Sequence, residues 1–221
     1  RDSRPKQKPA APRRKVTPPE QFLVRQPWRL LEPLLAHAPD PARAMERIRA
    51  YAGLLMEWNQ GVSNLISQND QARFVERHLL ESLTGLPRLR ELGPAHIVDL
   101  GSGGGLPAIP LLLAGAGRRW TLVESRRNKT LFLRRVAQDL SLGNLTVLTG
   151  RLETLLDSEG DALACDAFTS RATLAIGPTL EMAARIVAPG GHALLWKGSS
   201  WAQEGDGGDV GCGQGAAASR S

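Results

Sequence analysis

Sulfur chemistry is scarce in this chain: only Cys165 and Cys212 stand among its 221 residues. Two thiols cannot build a disulfide framework, which suits a reducing compartment. Neither has a Cys or His neighbour at metal-ligand spacing, so no metal is expected. Long apolar runs are missing too. Nothing approaches the roughly 20 consecutive residues that a membrane helix needs. The start is basic and Pro-rich, with no apolar region behind it to read as a signal peptide. No membrane association is expected, and a cytoplasmic location is. The first residue is Arg rather than Met, so a processed, incomplete or excised chain is expected. Beyond the first fifteen residues there is no charge excess either. Residues 1–15 hold seven Lys/Arg and one acid, Asp2, an excess that equals the net charge of +6 for the whole chain. A tail of that composition is solvated chain or makes non-specific phosphate contacts. By itself it does not indicate RNA binding.

What is present centres on residues 96–125, HIVDLGSGGGLPAIPLLLAGAGRRWTLVES. An apolar run, Ile97 to Leu100, flows into Gly101-Ser102-Gly103-Gly104-Gly105 and then an apolar helix-like stretch, Leu106 to Ala114. A second run, Trp120 to Val123, ends in Glu124. Strand, glycine turn, helix, strand and acid make one βαβ unit for a nucleoside-bearing cofactor. A dinucleotide site would need G-x-G-x-x-G, and the sixth position here is Leu106. The glycines instead read G-x-G-x-G, at Gly101, Gly103 and Gly105, a form similar to that of S-adenosylmethionine-dependent methyltransferases. Without a Cβ, the turn lets the methionine part of such a cofactor lie against the backbone. Glu124 is expected to accept hydrogen bonds from both ribose hydroxyls.

Helical spacing appears ahead of this unit, with Ala44, Ile48, Ala52, Leu55 and Trp58 on one face of a helix over residues 42–59. A short helix is expected near residues 28–36. Another should run from about Asp70, read as its N-cap, to Leu83, with Phe74, Leu79 and Leu83 facing inward. After the unit come a helix over 128–140, a strand over 145–148, a strand over 167–169 and a helix over about 176–187. Pro189-Gly190-Gly191 then turns into a strand over 192–196. This alternation predicts an α/β fold with a parallel, doubly wound sheet; together with the glycine turn it resembles the Rossmann-like class I methyltransferase sheet. The expected organisation is a basic tail (1–26), an N-terminal helical extension (27–90), the cofactor-binding domain (91–198) and a Gly-rich tail (199–221). Such a sheet normally has two further strands, and residues 198–221 offer no candidate. The C-terminal strands are therefore expected to be missing, by truncation or a frame error, which would leave the fifth strand an exposed edge.

A collinear set of motifs between Tyr51 and Gly198 is more specific. It comprises Trp58-Asn59, Asn64-Leu65-Ile66, Arg77-His78-Leu79-Leu80-Glu81-Ser82-Leu83, VDLGSGGGLPAIP, Glu124-Ser125 with Lys129, Phe132 and Leu133, Gly150-Arg151-Leu152-Glu153, Ser170-Arg171-Ala172 and Trp196-Lys197-Gly198. This set resembles the glucose-inhibited division protein B family, the ribosomal small-subunit RNA methyltransferases G. Departures are mild: Ala108 for a usual Gly, Glu81 for Asp, and Ser67-Gln68 in a Thr-Ala-like stretch. The resemblance implies S-adenosyl-L-methionine as cofactor and methylation of guanine N7 in 16S ribosomal RNA. The partner would be the small ribosomal subunit or an assembly intermediate, met as a monomer. It also places Asp99, Gly101, Ser102, Gly103, Gly105, Leu106, Glu124, Leu152, Glu153 and Arg171 among the cofactor-binding residues. Arg171, Lys197, His78 and Asn64 would shape the catalytic pocket.

Chemistry at the strand tips agrees. Guanine N7 has an unshared pair and no proton, so attack needs alignment rather than a general base. Amine methylation would show an Asn/Asp-Pro-Pro-aromatic loop after the fourth strand, where this chain reads Thr169-Ser170-Arg171-Ala172. Pyrimidine C5 methylation would need a thiolate, and Cys165 precedes that strand in no Pro-Cys motif. Arg171 and Lys197 fall where open α/β sheets place ligands, and Arg can pair with guanine O6 or hold a phosphate. Arg151 could organise the adenosine side. Arg126, Arg127, Lys129, Arg134 and Arg135 on one helix are a solvated face or an RNA track. Two other classes stay open: an inactive methyltransferase-like module that binds RNA or ribosomes, and a small-molecule or protein methyltransferase.

Overall fold

The computed structural model describes residues 23–62, 64–171 and 175–197. At its centre, β1 (His96–Leu100) is buried at all five positions, and in β2 (Arg119–Glu124) only Arg119 is exposed. Continuous apolar runs of this kind belong to strands covered on both faces, which selects a parallel sheet with helices on either side. The strand order is β3-β2-β1-β4-β5, with β3 (Leu145–Thr149), β4 (Cys165–Arg171) and β5 (Val187–Trp196), and every pairing is parallel. The chain winds outward from β1 to β3, then crosses back to lay β4 beside β1. The cleft between the carboxyl ends of β1 and β4 is therefore the switch point, where open α/β sheets bind ligands.

Helices pack on both faces. An α-helix over Pro41–Gly61 (α1) buries Ala44, Ile48, Ala52 and Leu55 as its periodicity predicts. It is followed by Leu86–Leu92 (α2), Ala108–Leu113 (α3), Arg127–Asp139 (α4), Leu152–Leu163 (α5) and Ile176–Ala184 (α6). A 3-10 turn, Trp28–Leu31, runs into a helical turn, Glu32–Leu35, where a short helix is expected. Pro107 sits at the N-cap of α3 and Pro110 in its first turn, where a missing N–H costs no intrahelical bond.

Several expectations need correction. Ser67, not Asp70, caps the helical segment ahead of α2: its hydroxyl accepts from Asp70 N and donates to the Asp70 carboxylate at 2.6 Å. Two good capping residues three positions apart compete, and the upstream one wins. Beyond it the backbone does not form one regular helix but widens to a π-turn at Val75–Leu80. Residues 152–163, given no element above, are α5. Pro189-Gly190-Gly191 lies within β5 as an irregularity: Cys165 pairs with Val187, yet Ala167 pairs with His192. Cys165 is the first residue of β4 rather than a residue ahead of it. Most of the basic tail and the question of further strands beyond residue 197 lie outside the described residues. Among those described, β5 pairs only with β4 and is an edge.

Candidate active site

Register brings the expected side chains to one end of the sheet. Leu100 stands level with Val123 and Ser170, Glu124 pairs with Thr149, and Arg171 pairs with Trp196. The glycine turn, Glu124, Arg171 and Lys197 therefore all emerge at the carboxyl edge.

The three glycines of the motif all have positive φ, at 71° for Gly101, 56° for Gly103 and 90° for Gly105. Gly103 and Gly105 carry different constraints. A Cβ on Gly103 would make only ordinary contacts, with Gly101 O at 3.7 Å and Lys129 Nζ at 3.8 Å, so the turn forms a cradle walled by its own backbone and Lys129. A Cβ on Gly105 would sit 2.5 Å from Ile109 Cγ1 and 3.2 Å from Leu133 Cδ2. Gly105 is thus required for close helix packing, whatever its backbone offers a ligand. Gly104 is held from below by Tyr51, whose buried hydroxyl donates to its carbonyl at 2.6 Å.

Glu124 is buried, and each carboxylate oxygen already accepts one backbone N–H: Oε2 from Gly103 at 2.9 Å and Oε1 from Arg126 at 2.8 Å. A carboxylate offers about four acceptor positions. One per oxygen remains, the number that two ribose hydroxyls use. Asp99 lies beneath the turn, fully buried. Its Oδ1 accepts from Thr169 at 2.7 Å, while Oδ2 has no partner. Burial pushes its pKa up to about 6, against the hydroxyls of Ser102 and Thr169 and the charge of Arg171. Buried polar atoms are normally hydrogen-bonded, so the orphaned Oδ2 points to a donor group bound from outside. The Gly103 cradle, the spare Glu124 positions and Asp99 Oδ2 together fit a ligand with a sugar diol and a cationic amine.

Arg171, at the end of β4, forms the second half of the site. Its Nη2 lies 2.9 Å from His78 Nδ1, and its Nη1 lies 3.5 Å from Glu81 Oε2. His78 belongs to the π-turn, a distortion that recurs at functional sites. Burial and then the Arg171 charge lower the His78 pKa to about 4, so the ring is neutral near pH 7. A guanidinium only donates. Nδ1 therefore accepts and Nε2 carries the hydrogen; Nε2 is buried without a partner, 4.0 Å from Asp70 Oδ2. Lys197 follows the last β5 residue, half-buried. Trp196 ties that edge to the π-turn segment, with its Nε1 donating to Glu81 O at 2.6 Å.

Other expected residues part company. Asn64 is exposed and lines a cavity of about 360 Å³ beside the cradle with Arg126, Arg127, Asn128 and Lys129. Leu152 is buried in the core cluster with Val98, Leu163 and Phe168, and Leu106 is buried in the other cluster, so neither side chain is available to a ligand. Both pack against the sheet from the first turn after a loop, leaving only their backbone near the edge. Glu153 is exposed in the first turn of α5, and Arg151 is exposed just before it. Ser102 is buried, its hydroxyl donating to Asp99 O at 3.1 Å, so it braces the turn. The residues that sequence reasoning missed are Tyr51, Thr169 and Glu81 in its pairing role. Only Tyr51 carried a signal, as the one tyrosine of the chain on the inward face of α1.

Comparison with known proteins narrows the chemistry. The family model for rRNA small subunit methyltransferase G (GidB) matches residues 44–215, running past the 51–198 span of the motifs above. Ribosomal RNA small subunit methyltransferase G of Neisseria gonorrhoeae (strain NCCP11945) is 35% identical over 171 residues, covering 77% of this chain and 79% of that protein. The protein of the same name from Ectopseudomonas mendocina is 42% identical over 129 residues, 58% of this chain and 59% of that one. Among solved structures, SAH-bound methyltransferase PaMTH1 of Podospora anserina aligns with a TM-score of 0.49 at 14% identity, covering 66% of this chain and 61% of that one.

Proposed function

Since this chain belongs to the rRNA small subunit methyltransferase G family, we propose that it transfers a methyl group from S-adenosyl-L-methionine to N7 of a guanine in 16S ribosomal RNA. The observation that carries this reading is the side-chain-free cradle at Gly103, flanked by the spare acceptor positions of Glu124 and the unpartnered Asp99 Oδ2. When bound there, S-adenosylmethionine supplies an electrophilic methyl on a sulfonium and leaves as a neutral thioether. Glu124 would hold the ribose, Gly101 and Gly103 the methionine backbone, and Asp99 the amine. Arg151, exposed after β3, would lie on the adenosine side.

The remaining residues handle the base. Attack by N7 requires no proton to be removed, so the chain must align the guanine and exclude water. Arg171 and Lys197 stand on the opposite side of the switch point from Glu124. An Arg on N7 would block the nucleophile, so its guanidinium reaches O6 or the neighbouring phosphate instead. Neutral His78 takes one of its N–H groups and Glu81 draws on another, which fixes the plane of the fork. His78 is thus a positioning residue.

The test is transfer of label from tritiated S-adenosylmethionine into small ribosomal particles lacking the modification, followed by nucleotide-resolution mapping of N7-methylguanosine. Label at a single guanine N7 is the expected result. Label in free small molecules or at another base atom would overturn the reading. Cofactor binding with no transfer to any RNA would favour a docking module instead.

A further inference from the structure

The four cations on α4 and Arg126 at its N-cap divide in two. Arg134 donates to Val147 O and Thr149 Oγ1, and Arg135 is ion-paired with Asp139 at 2.6 Å, so both serve the fold. Arg126, Arg127 and Lys129 instead surround the 360 Å³ cavity with Asn64 and Asn128, and none forms an ion pair among the described residues. The first turn of α4 carries cations where the helix dipole is positive, and the carboxylate beside it, Glu124, is engaged with backbone, accepting from Arg126 N through Oε1. An anion in the cavity would meet those cations and the amide of Asn64 together. The cavity also abuts the cradle: Lys129 Nζ lies 3.8 Å from where a Gly103 Cβ would stand, and Leu65, next to Asn64, lies 3.6 Å from that of Gly104.

We infer that this cavity is a phosphate clamp for the RNA substrate, gripping a backbone phosphodiester beside the reacting nucleotide. The inference rests on the RNA methyltransferase reading above and adds to it a named contact outside the cofactor residues. Arg and Lys contacts to phosphate fix register without reading sequence. The clamp would therefore hold the strand while Arg171 and Lys197 address the base.

Salt dependence of binding isolates it. Affinity of the full chain for a fluorescent 16S ribosomal RNA fragment is measured from low to moderate salt, for wild type and for R127Q/K129Q. Loss of one phosphate contact reduces the slope of log K against log salt by about 0.7 to 0.9, and a clamp on a single phosphodiester should lose about that much in R127Q/K129Q. The charge-keeping K129R should retain the wild-type slope. R185Q, at the opposite end of the sheet ahead of β5, should retain it too. S-adenosylmethionine affinity should stay within twofold in K129R and R185Q; the RNA slopes are read without cofactor, so that the position of Lys129 beside the Gly103 cradle does not enter them. An unchanged slope in R127Q/K129Q overturns the clamp while leaving the methyltransferase reading intact. So does loss of cofactor binding without a change in slope, which would assign the cavity to the cofactor carboxylate. Binding of inorganic phosphate with no effect on RNA would make it a small-anion site and overturn the clamp as well. Failure of wild type to methylate any RNA would instead defeat the reading beneath it.

Discussion

Arg171 Nη2 reaches His78 Nδ1 at 2.9 Å across 93 residues of sequence, joining the end of β4 to the π-turn. The contact makes the imidazole an acceptor and turns the guanidinium fork toward the switch point. His78→Ala should therefore lower kcat/KM for RNA by about tenfold or more, since misalignment at a near-attack site is costly. His78→Asn, which keeps a side-chain acceptor, should recover part of the loss, and cofactor affinity should change little. Single-turnover methyl transfer decides the matter: equal rates for wild type and His78→Ala would make the pair purely structural.

The same histidine sets a pH signature. Its pKa falls from 6.5 unfolded to about 4 folded, because burial and the Arg171 charge disfavour the cation. The unfolded state then binds more protons between those values, so stability rises with pH there. Its contribution is complete above about pH 6.5 and is lost as pH falls through 4. Denaturant midpoints of His78→Asn should lack this acid-side decline, and a parallel pH profile for both proteins would contradict the assignment.

Asp99 has the opposite sign. Its folded pKa is raised to about 6 by burial, so the fold favours the protonated acid. The favourable contribution is present below about pH 3.8 and is lost as pH rises through 6, leaving a buried carboxylate as a standing cost at pH 8. Asp99→Asn should be more stable than wild type at pH 8 by on the order of 2 kcal/mol, with the gain shrinking at pH 5. It should also bind S-adenosylmethionine at least tenfold more weakly, because the ligand amine loses its ionic acceptor. Thermal melts at the two pH values and calorimetric titration measure both effects. A cofactor affinity unchanged by the substitution would remove Asp99 from the site.

The motif glycines should fail in different ways. Gly103→Val puts a branched side chain into the cradle at φ 56°, so cofactor binding should disappear while the strained residue costs about 1–3 kcal/mol. Gly105→Ala drives a methyl against Ile109 and Leu133, so its first effect should be on folding. Urea titration beside cofactor binding separates them. A stable Gly105→Ala protein unable to bind cofactor would reverse the distinction drawn between the two glycines.

Local signals account for what could be read in the sequence. Unbroken apolar runs marked β1 and β2, helical spacing marked α1, and G-x-G-x-G followed by Glu124 marked the cradle. None of these depends on a distant partner. Contacts that do were invisible: Tyr51 to Gly104, Arg171 to His78, and the vacancy on Asp99 Oδ2 exist only once the sheet order is set. Leu106 and Leu152 looked like ligand contacts but bury their side chains in the core, because motif membership does not reveal which way a side chain faces. The helix over residues 152–163 escaped notice partly because its backbone breaks helical geometry at Glu159. On α4 and at its N-cap, five cations were indistinguishable by spacing, and only their partners divided them into bracing and cavity-lining groups.

Cys165 supplies the last discriminating test, between attack by N7 and the thiolate chemistry of pyrimidine C5 methylation. The thiol is buried at the first position of β4, and burial pushes its pKa up to about 12. Arg171 lies six residues along the same strand, a span of roughly 20 Å at about 3.3 Å per residue. A thiol that far from the switch point, and that reluctant to ionise, cannot serve as the nucleophile there. Cys165→Ala should therefore transfer methyl groups to RNA within about twofold of wild type, since only a small apolar packing group is lost. Its stability should drop by about 1 kcal/mol from the cavity left behind. Loss of transfer in a folded Cys165→Ala protein, or a covalent adduct between wild type and RNA carrying 5-fluoropyrimidines, would place the reaction on a pyrimidine carbon and not on guanine N7.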